Sequence, residues 1–144
     1  MPLTFDQIQR AAEADIMPAD VAASVLAAGW EYIKAEGKIS IEQAFGVAVP
    51  SGGEPWHVRL GRHRRDQALR SLGEVLQPVG TTSDRADAVR HRIQRYRSTW
   101  QRRDQYLDAP PAADPVDALL FVAFRACGGS IPDSPDHLRK LLAA

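Results

Sequence analysis

At 144 residues, with 44% hydrophobic and 25% charged side chains, the chain has the size and composition of one globular domain, not of a disordered or fibrous protein. It contains no run approaching the ~18 uninterrupted apolar residues that span a bilayer, which excludes a membrane-spanning helix. Its formal net charge is zero, so any attraction for a charged partner must come from how the charges are arranged.

In chain order, helix-start signals come first. The stretch Met1-Pro2-Leu3-Thr4-Phe5-Asp6 has neither the basic nor the apolar region of a secretory leader, and the expected compartment is a bacterial cytoplasm. Thr4 with Gln7, and Ser40 with Gln43, stand at capping-box spacing. Ser83 precedes Asp84 and Asp87, a favourable start for a helix. Asp114-Pro115 and Ser134-Pro135 each put a capping side chain before a proline at the first helical position. Stops fall at Gly37, Ser51-Gly52-Gly53, Pro78 with Gly80, Pro110-Pro111 and Gly128-Gly129. No convincing alternating strand pattern occurs, and Phe45–Val49 reads as the end of a helix. The signals predict helices over 4–14, 18–36, 40–47, 56–77, 83–107, 115–127 and 134–143. The fold class is all-α: a compact bundle of six to seven helices. Residues 1–144 form a single helical domain. Its one candidate subdomain boundary, at 50–55, separates an acidic part (1–50) from an arginine-rich hairpin with C-terminal helices (56–144).

Two of these helices are strongly apolar. The second carries Val21, Val25, Leu26, Trp30, Tyr32 and Ile33 on nearly every side. The sixth reads Ala118-Leu119-Leu120-Phe121-Val122-Ala123-Phe124 without a charge until Arg125. A helix apolar on every side is buried on every side. The sixth is therefore expected to be central or to form a dimer interface. Cys127, at its end, is the single cysteine; it excludes an internal disulfide and reads as a buried structural thiol.

The zero net charge hides a pattern. Residues 1–55 carry eight acids and three bases; residues 56–107 carry twelve arginines and five acids; residues 108–144 carry five acids and three bases. The middle third therefore holds a net +7 and uses arginine alone, the side chain suited to bidentate contact with phosphate and carboxylate. On the fifth helix Ala86, Val89, Ile93, Tyr96, Trp100 and Leu107 form one apolar stripe. Arg85, Arg92 and Arg103 lie along one edge, Arg90 and Arg97 along the other, and Arg95 and Arg102 on the back. Tyr96 and Trp100 belong to the stripe and read as core anchors, not as base-stacking platforms. On the fourth helix Val58, Leu69, Leu72 and Leu76 mark the buried side. Arg62 and Arg65 project onto that same side, so either the regular helix begins near Arg65 or these two pair with buried acids. With His57, Arg59, His63 and Arg64 they form the densest basic patch in the chain.

Other chemistries lack their signatures. His57, His63, His91 and His137 do not form a zinc constellation, and no phosphate-cradling glycine loop or nucleophile elbow is present. Neither an enzyme nor a cofactor or metal is expected. Ser40–Val47 followed by a basic helix from Trp56 resembles a helix-turn-helix, but the Ala48–Pro55 connection is much longer than the usual turn.

Arg65-Asp66-Gln67-Ala68-Leu69-Arg70, Ile93-Gln94-Arg95-Tyr96 through Trp100-Gln101-Arg102-Arg103-Asp104, and Gly128-Gly129-Ser130-Ile131-Pro132-Asp133-Ser134 with Leu138-Arg139 resemble small helical proteins of phages and integrating mobile elements in proteobacteria. The resemblance spans roughly residues 64–142. It implies a mobile-element setting and no particular activity.

Three functional readings follow. In the first, Arg59, Arg62, Arg64, Arg65, Arg92, Arg95, Arg102 and Arg103 engage nucleic acid, or an acidic, nucleic-acid-binding surface of a host protein complex, in a regulatory or anti-defence role. In the second, the arginines pair within the molecule and the chain self-associates as a homodimer through apolar helix faces. An accessory subunit of a host enzyme complex is a third.

Overall fold

A computed structural model describes residues 3–49, 51–111 and 114–144. Met1, Pro2 and Pro50, which entered the sequence reading of the N-terminus and of the boundary loop, lie outside the described residues. The described residues form an all-α structure: α1 (Phe5–Glu13), α2 (Ala19–Lys34), α3 (Ile41–Phe45), α4 (Trp56–Leu76), α5 (Thr82–Arg102), a 3₁₀ turn at Asp104–Tyr106, α6 (Pro115–Ala126) and α7 (Pro135–Ala143). The chain divides into two units, Met1–Leu60 and Gly61–Ala144, and the division falls inside α4, beyond the Pro50–Pro55 loop.

Local chemistry sets the helix starts. Both expected capping boxes form: the Thr4 hydroxyl accepts from the Gln7 amide while the Gln7 side chain accepts from the Thr4 amide, and Ser40 and Gln43 repeat the arrangement. Asp114 and Ser134 cap α6 and α7 ahead of their prolines. The start of α5 differs from expectation: its cap is Thr81, whose partner across the box is Asp84. Ser83 would have had Ala86 at the reciprocal position, which has nothing to bond back with. α3 stops at Phe45 because Gly46 takes the left-handed conformation that closes a helix end.

In the N-terminal unit α1 packs on α2 through an ion pair from Arg10 to Asp20 at 2.7 Å and a Gln7–Ser24 hydrogen bond at 3.2 Å. Val21 and Ala28 of α2 are buried. The rest of α2 corrects the sequence expectation, since Leu26 is 75%, Trp30 58% and Ile33 63% exposed. The short helices α1 and α3 cover only one side of it.

The C-terminal unit has the substantial core. Ala68, Leu69 and Leu72 of α4 meet Ala86, Val89, Ile93, Tyr96 and Trp100 of α5, Leu120, Phe121 and Phe124 of α6, and Leu138 and Leu141 of α7. The expected α5 stripe is thus the buried one, except that the helix ends at Arg102 and Leu107 packs on the core from beyond the 3₁₀ turn. Tyr96 and Trp100 stack edgewise on Phe124 and Phe121, at centroid distances of 5.2 and 5.8 Å. α6 is buried along most of its girth, with Val122 and Arg125 facing out. Val58, expected on the buried side of α4, is 42% exposed; it belongs to the N-terminal unit, not to the one whose core takes Leu69 and Leu72. Cys127, expected buried, is a half-buried free thiol at the C-cap of α6.

Gly61 brings α4 against α6, because a Cβ there would collide with the Ala126 carbonyl oxygen. Gly29 in α2 has open space around it. Alanine ordinarily stabilises a helix interior by about 0.5–1 kcal/mol over glycine. Gly29→Ala should therefore raise the urea midpoint, whereas Gly61→Ala should lower it, through an overpacking cost of about 1–3 kcal/mol in stability. Equal effects of the two substitutions would contradict the close α4–α6 approach.

Candidate functional site

The arginines of the C-terminal unit separate into two classes. One class is consumed by the fold. Arg85 reaches back and donates from Nε to the Gln77 carbonyl at 3.0 Å, closing the end of α4. Arg70 donates to the Leu141 carbonyl at 3.0 Å and does the same for α7. Arg125 donates to the Leu107 carbonyl at 2.9 Å and ties down the segment after the 3₁₀ turn. Arg97 pairs with Asp133 at 3.1 Å. The bonds from Arg85 and Arg70 satisfy carbonyls that a helix end leaves without partners.

Two of the eight predicted site residues fall in this class. α4 is regular from Trp56, and Arg65 pairs with the adjacent Asp66 at 2.6 Å with its side chain only 11% exposed. Arg103 pairs with Asp104 at 2.6 Å. Asp104 is the one buried charged residue among those described, and its second oxygen accepts from the Tyr96 hydroxyl at 2.5 Å. Burial pushes the Asp104 carboxyl up, but the bonds from Arg103 and Tyr96 outweigh it and hold the group below its ordinary value. Burial, then the bond and charge of Asp104, raise the Tyr96 hydroxyl well above its own. The proton stays on tyrosine, and the carboxylate stays ionised. This junction fastens the 3₁₀ turn to the last turns of α5.

The other class faces outward. Arg95 and Arg102 lie on the back of α5 and Arg92, half-buried, on the adjoining edge, so that the three, at i, i+3 and i+10, run along one side of the helix with Thr99 between them. The row extends about 15 Å at the helical rise of 1.5 Å per residue. Among the described residues, none of the three has a carboxylate at ion-pair distance. Arg102 rests its Nε on the Ser98 carbonyl at 3.2 Å and keeps its remaining donors for solvent. Arg92, Arg95 and Thr99 also form one wall of a cleft of about 220 Å³, with Tyr96 at its base and Asp117 and Leu120 of α6 opposite. Asp117 and Thr99 were not singled out from sequence. Their only signal was position, one in the first turn of α6 and one in register with Arg92 and Arg95.

Arg59 and Arg62 are exposed and Arg64 is half-buried, all on the first half of α4. The division of the chain at Leu60 puts Arg59 in the N-terminal unit and the other two in the C-terminal one. Arg90 belongs to neither class: its Nε is buried without a hydrogen-bond partner. The helix-turn-helix likeness does not survive, because α3 has five residues and the chain from Gly46 to Pro55 has no helix among its described residues. No group of three His, Cys, Asp or Glu among the described residues is placed to hold a metal ion.

Tyr96→Phe removes the hydroxyl and leaves one oxygen of a buried carboxylate unbonded, a loss of about 1–3 kcal/mol. The sign of the pH dependence follows from the depressed Asp104 value. Its stabilisation is present above the ordinary unfolded carboxylate pKa and is lost as pH falls through the folded value. The stability gap between wild type and Asp104→Asn, measured by urea unfolding, should be constant near neutrality and shrink below about pH 4. A gap that widens in acid would show that Asp104 is protonated in the native state.

Compared with known protein families, with characterised proteins and with solved structures, the chain matches none of them.

Proposed function

We propose that this chain is a binding protein, not an enzyme, and that its outward arginine row holds the phosphate backbone of a nucleic acid. One observation carries the reading. α5 spends Arg85, Arg97 and neighbouring Arg103 on internal acceptors, yet leaves Arg92, Arg95 and Arg102 without an acid among the described residues. An arginine guanidinium cannot shed its charge, so three of them in a row make a fixed positive strip. A bare strip of this kind meets phosphates as a series of bidentate contacts. Arg62 and Arg64 of α4 add to the positive charge of the C-terminal unit. Asp117 across the cleft works against a phosphate placed deep inside it and favours contact along the outer row.

A second reading rests on a different observation. Leu26, Trp30 and Ile33 stand on one exposed stripe of α2, which suits self-association.

Titration of the full chain against duplex DNA at about 50 and 200 mM salt separates the two, since each phosphate contact contributes about 0.9 to the salt slope. Replacing Arg92, Arg95 and Arg102 together by glutamine should flatten the log–log slope by about 2.7 and leave the fold intact. Absence of binding at low salt, or a slope unchanged in the triple variant, defeats the phosphate reading. A concentration-dependent dimer in light scattering that Trp30→Ser dissolves would support self-association instead.

A further inference from the structure

The N-terminal unit has a helical frame with very little inside it. Among its described residues only Val21, Ala28 and Leu60 are buried. Where a core would be expected, there is an open groove of about 420 Å³. α1 contributes Ile8, the connection before α2 contributes Met17, α2 contributes Val25, α3 contributes Phe45, and Trp56 opens α4. Glu42 is the one charged residue on its walls. Met17 is 51% and Trp56 37% exposed, so the apolar lining faces water. Apolar surface held in water costs about 25 cal/mol per Å², and a patch of this kind on a small unit marks a place of contact.

Shape and charge together specify the occupant. The groove is an open trough between helices, which suits an inserted helix presenting apolar side chains at i, i+3, i+4 and i+7. The surroundings are acidic: residues 3–49 hold seven acids against three bases. Two of those bases are already matched, Arg10 by Asp6 and Asp20, and Lys34 by Glu31. Glu13 and Asp15 lie in the chain between the lining residues Ala11 and Met17. With Glu42 they have no ion-pair partner among the described residues. A second copy of the chain has no basic amphipathic helix to offer: α4 and α5 bury their apolar stripes in the C-terminal unit, and α2, whose Leu26, Trp30 and Ile33 are exposed, carries Asp20 and Glu31 against the single base Lys34.

We propose that the groove receives a basic amphipathic helix from a partner protein, its apolar face on Phe45, Met17 and Trp56 and its cations against Glu13, Asp15 and Glu42. The groove lies wholly within the N-terminal unit, so the inference stands apart from the arginine row.

The test uses the full chain and two synthetic peptides of about 18 residues with leucine at i, i+3, i+4 and i+7. One carries lysine at all other positions and the other glutamate. Binding is followed by tryptophan fluorescence, to which Trp56 in the groove responds. The lysine peptide should bind about tenfold or more tighter than the glutamate peptide. Met17→Ser should weaken it about fivefold through a lost apolar anchor. Glu42→Lys, a charge reversal on an exposed helix, should shrink the preference between the peptides. Equal binding of the two peptides, no binding of either, or indifference to both substitutions overturns the proposal. So does a dimer, seen in light scattering, that Met17→Ser dissolves while the lysine peptide fails to compete, because the occupant is then a second copy.

Discussion

α5 must bury one face in a hydrophobic core while carrying six side chains that cannot be neutralised. The guanidinium pKa lies far above any physiological pH, so each arginine has to reach an acceptor or water. The buried stripe from Ala86 to Trp100 leaves only the flanks and the back of the helix for them. On the flanks Arg85 and Arg97 find acceptors in the fold, at the end of α4 and on Asp133, while Arg90 Nε is buried without a partner and Arg92 meets no carboxylate among the described residues. Those on the back, Arg95 and Arg102, meet no carboxylate among the described residues, and Arg102 rests on the Ser98 carbonyl of its own helix. The positive strip is thus the remainder left once packing has taken what it can use, and a core that shifted α5 by one residue would redistribute every one of these charges.

The same constraint accounts for the buried Asp104. A carboxylate with 1% exposure is costly unless its oxygens are bonded. Arg103 bonds one and Tyr96 the other, so the acid that draws Arg103 out of the surface row also anchors the end of α5. Stability and surface charge are set by one junction here. The N-terminal unit stands in contrast: its helices are joined by capping boxes and surface ion pairs worth little individually, and its apolar side chains outnumber the places available to bury them.

Much of the fold was legible in the chain because its helix ends are chemically explicit. Thr4–Gln7, Ser40–Gln43, Asp114-Pro115 and Ser134-Pro135 encode starts in three or four residues, with no help from distant contacts. The α5 core stripe was legible for the same reason, since its period is a local property. Burial was harder. Val58 has the helical phase of Leu69 but falls in the other unit and is exposed, and α2 has apolar residues all round yet too few neighbours to cover them. Periodicity says which way a side chain points, not whether anything meets it there. The candidate site was half legible. That arginines dominate the surface of α5 follows from counting, but which are consumed depends on partners. Asp66 and Asp104 sit next to their arginines in sequence, whereas Asp133 and the Gln77 carbonyl are brought in by the fold.

The sorting of arginines can be measured directly through their Nε–H protons by nuclear magnetic resonance. Hydrogen-bonded groups exchange slowly with water, and exposed ones exchange fast. The structure predicts slow exchange at Arg65, Arg70, Arg85 and Arg103, each of which donates from Nε to an acceptor, and fast exchange at Arg92 and Arg95. On addition of a short DNA duplex at low salt, the shifts should concentrate on Arg92, Arg95 and Arg102. Uniform exchange across all of these arginines, or duplex-induced shifts at Arg85 and Arg103 in place of the outward row, would contradict the division on which the functional reading rests.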